Sequence, residues 1–95
     1  MAAYILVDAQ VNDPAKYERY RALAPAAIAK YGGRYLVRGG ATTVLEGEWQ
    51  PHRVVVLEFP TVDAARRFYD SPEYREARTL REGAVRMSIF VVEGV

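Results

Sequence analysis

The chain has 95 residues, 51% hydrophobic and 26% charged, with thirteen Lys and Arg against twelve Asp and Glu. That length has room for one domain, residues 1–95, with one thin core, and the composition excludes the disordered, collagenous and membrane-spanning classes. A formal net charge of +1 is too even for the basic footprint of a nucleic-acid binder, and the absence of cysteine excludes disulfides, thiolate nucleophiles and zinc-thiolate sites.

Tyr4–Val11, YILVDAQV, is rich in β-formers and reads as a first strand. No basic segment precedes it and Asp8 interrupts its apolar run, so a secretory signal is not expected. No stretch approaches the roughly eighteen apolar residues that a membrane span needs, and with no cysteine a cytoplasmic location is expected. Asn12 or Asp13 then supplies a helix N-cap, with Pro14 at the first helical position, where its missing N–H costs nothing. Tyr17, Tyr20, Ala24, Ala27, Ile28 and Tyr31 recur at spacings of three and four, which predicts a helix running to about Tyr31. Pro25 lies inside it, against the carbonyl of Arg21, so a kink or brief break is expected there. Gly32 and Gly33 follow as the C-cap.

Arg34–Arg38, RYLVR, reads as the second strand; Gly39 and Gly40 bend or bulge it before Thr42–Glu46 continues extended. Gly47–His52 form a loop, and Arg53–Phe59, RVVVLEF, is the third strand. Thr61 caps a second helix whose inward stripe is Val62, Ala65, Phe68 and Tyr69. Ser71 and Pro72 start another helical segment in the same way, with Tyr74, Ala77 and Leu80 inward and Gly83 at its end. Val85–Glu93, VRMSIFVVE, is the last strand. The order β-α-β-β-α-β predicts an α+β, ferredoxin-like fold: a four-stranded antiparallel sheet with helices on one face.

A sheet covered on one side should alternate apolar and polar along its strands. Here Val54, Val55, Val56 and Leu57 run in succession, as do Ile89, Phe90, Val91 and Val92. Short helices can shelter only one face, so the other would expose more large side chains than a soluble monomer usually tolerates. Burying about six of them per subunit, at roughly 1.5 kcal/mol or more each, outweighs any rim salt bridge. A homodimer through the sheet face is therefore expected.

The segments NDPAKYERYRALAPAAIAKYGGRYLVRGG, LEGEW, RVVVLEFPTVDAARRFYDSPEY and the closing strand together resemble the bacterial domain-of-unknown-function family 1330 (DUF1330), a branch of the dimeric α/β-barrel superfamily. The resemblance covers nearly the whole chain. It implies a ferredoxin-like protomer that pairs through its sheet, and it implies no established reaction. Superfamily relatives include cofactor-independent quinol monooxygenases, haem-dependent peroxidases and amino-acid-sensing modules, so the fold alone does not choose an activity.

Few residues offer chemistry. Arg34 and Arg38 are four apart on a strand, which places them on one face about 13 Å from each other. Arg38, beside Gly39 and Gly40, is the better site candidate, because a bulge can turn a side chain into a cleft and bare glycine lets a ligand approach. Its plainer role is an ion pair with Glu58 or Glu46. The one histidine, His52, is the only unperturbed general base near neutral pH. It lacks imidazole partners at ligand spacing, so no metal is expected. Asp8 must be paired, exposed near its strand end, or poised in a pocket.

The tyrosines on helix stripes read first as core with hydroxyls at the edge. The resemblance places a cavity between sheet and helices, which Tyr17, Tyr69 and Tyr74, with Trp49 and Phe68, could line. Three readings of function stay open, and whether the protein is an enzyme is not decided. The first is a binder of a small aromatic or anionic molecule held by Arg38 beside Gly39 and that aromatic lining, with no cofactor. The second is a cofactor-independent monooxygenase or isomerase acting on a phenolic or quinol substrate through Tyr69, Asp8 or His52. The third is an interaction module without a ligand.

Overall fold

The computed structural model describes residues 1–95. Strand β1 (Ala3–Val11) lies inside a sheet of four, antiparallel to β3 (Arg53–Phe59) on one side and to β4 (Val85–Glu93) on the other. Strand β2 (Arg34–Arg38) pairs antiparallel with the far side of β3, giving the order β2-β3-β1-β4. Helices α1 (Pro14–Lys30), α2 (Val62–Asp70) and α3 (Pro72–Thr79) pack on one face. This is the α+β, ferredoxin-like arrangement that the order of elements predicts, with the second helical region divided in two at Ser71.

Each helix begins where a short polar side chain can satisfy an orphan amide. Asp13, rather than Asn12, caps α1 by accepting from the Lys16 amide at 3.1 Å. Thr61 accepts from the Ala64 amide at 3.0 Å, and Ser71 accepts from the Tyr74 amide at 3.1 Å while donating to the Phe68 carbonyl at 2.6 Å. Helix α1 runs through Pro25 without a break. It ends where the Gly33 amide donates back to the Ile28 carbonyl at 2.9 Å, a return that Gly32 permits by its φ of +84°.

Alternation along β1 divides the residues between two environments. Ala3, Ile5, Val7 and Ala9 are buried toward the helices, and their cross-strand partners Phe59, Leu57, Val55, Ile89 and Met87 join them. Tyr4, Leu6 and Asp8 point the other way, with Glu58, Val56, Val54, Val92, Phe90 and Ser88 opposite. No helix covers that second face, and it leaves Phe90 55% exposed and Val92 46% exposed. The helix-side core centres on Phe68, whose ring lies 5.2 Å from Phe59 and 4.3 Å from Tyr74.

Thr42–Glu46 does not continue as a strand: Gly40–Gln50 is exposed and carries no ladder. Strand β2 lies at the sheet edge, and Gly39, with a φ of +74°, turns the chain away just after its amide makes a last bond to the Val54 carbonyl at 2.8 Å.

Two contacts yield measurable consequences. A Cβ at Gly33 would lie 2.5 Å from Cζ of Phe59 and 2.9 Å from Cγ2 of Ile28. Gly33→Ala is therefore expected to cost about 1–3 kcal/mol in urea denaturation; an unchanged midpoint would show that the Phe59 ring yields freely. Between α1 and α3, Glu73 receives Lys30 Nζ at 2.5 Å and the Tyr31 hydroxyl at 2.9 Å. The Lys30 hydrogen bond, helped by Glu73's own backbone amide and by Tyr31, lowers the Glu73 carboxyl to about 2. A depressed carboxylate contributes stability that is present above its unfolded pKa, about 4.3, and lost as pH falls through the folded value. Wild-type stability should thus decline between those two values by an increment that Glu73→Gln lacks, as chemical denaturation at stepped pH would measure.

Candidate functional site

The site depends on a slip in the pairing of β2. Tyr35 pairs with Leu57 but Val37 pairs with Val56, so Leu36 is the extra residue of a bulge. A one-residue slip sends every later side chain to the opposite face. Arg34 accordingly lies across from Glu58 on the uncovered face, where Nη2 meets Oε1 at 2.7 Å and holds that carboxyl below the usual range. Arg38 lies across from Val55, on the helix side. The expectation that Arg34 and Arg38 share a face is corrected, since it requires unbroken alternation. Arg38 pairs with neither Glu58 nor Glu46; its guanidinium stacks 4.5 Å from the centre of the Tyr35 ring.

Arg53 opens β3 on the same face, diagonal to Arg38 in the ladder, a separation of about 7–8 Å. Its guanidinium occupies the space above Gly39: a Cβ there would lie 2.3 Å from Nη1 and 2.6 Å from Cζ. The Nε of Arg53 is buried with no hydrogen-bond partner. A third arginine, Arg21, reaches the same place from α1, where its Nη1 contacts Glu18 at 3.0 Å and its Nε is likewise buried and unpartnered.

These three arginines rim a cleft between the sheet and α1 whose walls are aromatic and aliphatic: Tyr17, Tyr20, Tyr35, Phe68 and Tyr74, with Ile28 and Val55 among the rest. No carboxylate lines it. Its enclosed volume is about 30 Å³, enough for roughly one water. At its inner wall the Tyr20 and Tyr74 hydroxyls share a hydrogen bond of 2.6 Å. Burial pushes the Tyr20 hydroxyl far above the ordinary tyrosine range, so it stays neutral. Burial also raises Tyr35, against the opposing pull of Arg38.

The other candidates lie elsewhere. Asp8 sits on the uncovered face, where its Oδ2 accepts from Nε1 of Trp49 at 3.1 Å and its Oδ1 accepts from the His52 amide at 2.8 Å. The His52 Nδ1 is 3.6 Å from the same oxygen. A hollow of about 180 Å³ borders this group, between Leu6, Val54, Ser88 and Phe90. Trp49 therefore does not line the cleft; it is 68% exposed on the far side of the sheet, because its loop folds toward Asp8. Tyr69 is outside the cleft too. It stacks under the Arg78 guanidinium at 4.2 Å and borders a groove of about 360 Å³ between α2 and β4, beside Arg66 and Asp70. No three His, Asp or Glu side chains converge at ligand distance.

The structure thus brings Arg38, Tyr17, Phe68 and Tyr74 to one cleft, sets Gly39 under its rim, and leaves Asp8, His52, Trp49 and Tyr69 outside. It adds Arg53, Arg21, Tyr20 and Tyr35. Arg53 could have been found from the hairpin register, but only with the bulge at Leu36 already known.

Solved structures share this fold at low sequence identity. A protein of unknown function from Rhodopseudomonas palustris superposes with a TM-score of 0.77 at 20% identity, over 99% of this chain and 82% of that one. SnoaB, a cofactor-independent oxygenase from Streptomyces nogalater, gives 0.67 at 18% identity, over 99% and 93%. A dimeric ferredoxin-like protein of unknown function from Jannaschia sp. CCS1 gives 0.65 at 15% identity, over 99% and 100%. No curated protein matches the chain. The family model of the domain of unknown function DUF1330 matches residues 2–95, and the chain belongs to that family.

Proposed function

We propose that this protein binds a small aromatic or anionic molecule in the cleft between its sheet and α1, with Arg38 contributing to the grip. One observation carries the reading: three arginines meet at an aromatic-walled cleft lined by no carboxylate, and two of them, Arg38 and Arg53, have no ion pair. Aromatic walls supply apolar contact area, and guanidinium forks supply countercharge and directed donors. The enclosed space, about 30 Å³, holds no ring while the cleft is closed. Entry of a ring requires Tyr35, half-buried at the edge strand β2, to swing outward.

The oxygenase reading, drawn from the neighbour in Streptomyces nogalater, asks for a base near the substrate. Asp8 and His52 lie across the sheet, Tyr69 lies outside the cleft, and Tyr20 is held neutral by burial. Binding is the simpler assignment. The lack of cysteine suits a reducing cytoplasm.

We also propose that the protein is a homodimer paired through the uncovered face. Leu6, Val54, Val56, Phe90 and Val92 lie there with no helix over them.

Thermal-shift titration with benzoate and phenol is expected to raise the melting temperature of the wild type, and Arg38→Ala to reduce the gain. No stabilisation by either compound at millimolar concentration would refute the binding site and favour a ligand-free interaction module. Oxygen uptake in the presence of a stabilising quinol would reinstate the enzyme reading. Sedimentation at micromolar concentration should give the mass of two chains, reduced to one by Phe90→Lys; a wild-type monomer would refute the dimer.

A further inference from the structure

We infer that the cleft selects a carboxylate on an apolar, ring-sized body, and that Arg53, seated on Gly39, is the residue that grips it; this rests on the cleft being the binding site. Among the arginines around the sheet, Arg34 is matched by Glu58, and Arg21 by Glu18 within its own helix. Arg53 and Arg38 have no ion pair and no side-chain hydrogen bond within the chain. A buried donor without an acceptor is costly, and Nε is in that condition in Arg53, as in Arg21, Arg78 and Arg81; of these, Arg53 alone lines the cleft without an ion pair. A ligand acceptor that enters the cleft would satisfy it.

The chemistry of that acceptor follows from what arginine offers. A guanidinium donates and never accepts, so a neutral phenol, with one hydroxyl, cannot satisfy two forks. A planar carboxylate accepts two parallel bonds from one fork and further bonds from a second. Arg38 and Arg53 are diagonal neighbours on one face, close enough for long side chains to meet on one such group. Tyr20 and Tyr74 already satisfy each other at 2.6 Å, so the inner wall presents rings more than free polar groups. The body of the ligand must therefore be apolar, which argues against a bare phosphate.

Gly39 has a separate part. Its φ of +74° turns the chain, and its missing side chain is the space where the Arg53 guanidinium lies. Any Cβ there would displace Nη1 and Cζ. Gly39 is thus a positioning residue that acts through Arg53.

The experiment is calorimetric titration of wild type, Arg53→Lys, Arg53→Gln and Gly39→Ala with benzoate, its neutral isostere benzamide, and inorganic phosphate. Benzoate is expected to bind wild type about tenfold or more tighter than benzamide or phosphate, as charge-assisted bonds from guanidinium forks imply. Arg53→Gln should erase the preference. Arg53→Lys, which keeps the charge without the fork, should leave only part of it, and Gly39→Ala should lower the benzoate-to-benzamide ratio. Equal binding of benzoate and benzamide, or phosphate binding as tightly as benzoate, overturns carboxylate selection and leaves the cleft itself standing. Binding of none of the three overturns the cleft and the inference together. The benzoate-to-benzamide ratio in wild type decides the matter even where a variant fails to fold.

Discussion

A single sheet has two faces, and the three helices of this chain lie on one of them. The rest of the structure follows from that inequality. On the covered side, Ile5, Val7, Leu57 and Phe59 meet the helices and close a core around Phe68 and Tyr74. On the other side β1 and its neighbours present Leu6, Val54, Val56 and Phe90 with no helix over them. Burial of apolar area is the largest favourable contribution to folding and to association alike, so the second face is where a second subunit would gain most.

Within the covered side, one extra residue decides where charge goes. The bulge at Leu36 reverses the parity of β2 between Arg34 and Arg38. Arg34 is left to neutralise Glu58 beside Tyr4, and Arg38 is brought to the ladder position next to Arg53. Without the bulge both arginines would face away from α1, and the cleft would lose one of its three cations. The glycine that ends the strand completes the arrangement, because Gly39 leaves the volume the Arg53 guanidinium needs.

The arginines and tyrosines of the sequence turn out to share much of their packing. Arg38 lies over Tyr35, Arg78 over Tyr69 and Tyr74, and Arg81 over Tyr20. A guanidinium plane tolerates such stacking better than an ammonium, being weakly hydrated across its faces. Stacked arginines keep their edges free to donate, which is how a cleft with aromatic walls can also be cationic. Across the sheet, the polar capacity of Asp8 is consumed locally: by accepting from Trp49 and the His52 amide it pins the long connection between β2 and β3 to the uncovered face.

Local chemistry made much of this legible from the residues alone. The caps at Asp13, Thr61 and Ser71, the stripe Tyr17-Tyr20-Ala24-Ala27-Ile28, and the two doubly apolar strands are short-range signals that need no knowledge of the fold. They were enough to give the order of elements, the antiparallel sheet and the uncovered face. The glycines that follow Arg38 single it out in the sequence, but what turns it into the cleft was not of that kind. It depended on a register slip at Leu36 and on the meeting of residues from β2, β3 and α1, and the separation of Asp8, His52 and Trp49 from that cleft depended on which way a loop folded. Periodicity fixes which residues share a face only while the ladder is unbroken; once a strand bulges, facing is set by pairing partners distant in the chain, and only the assembled sheet contains that information.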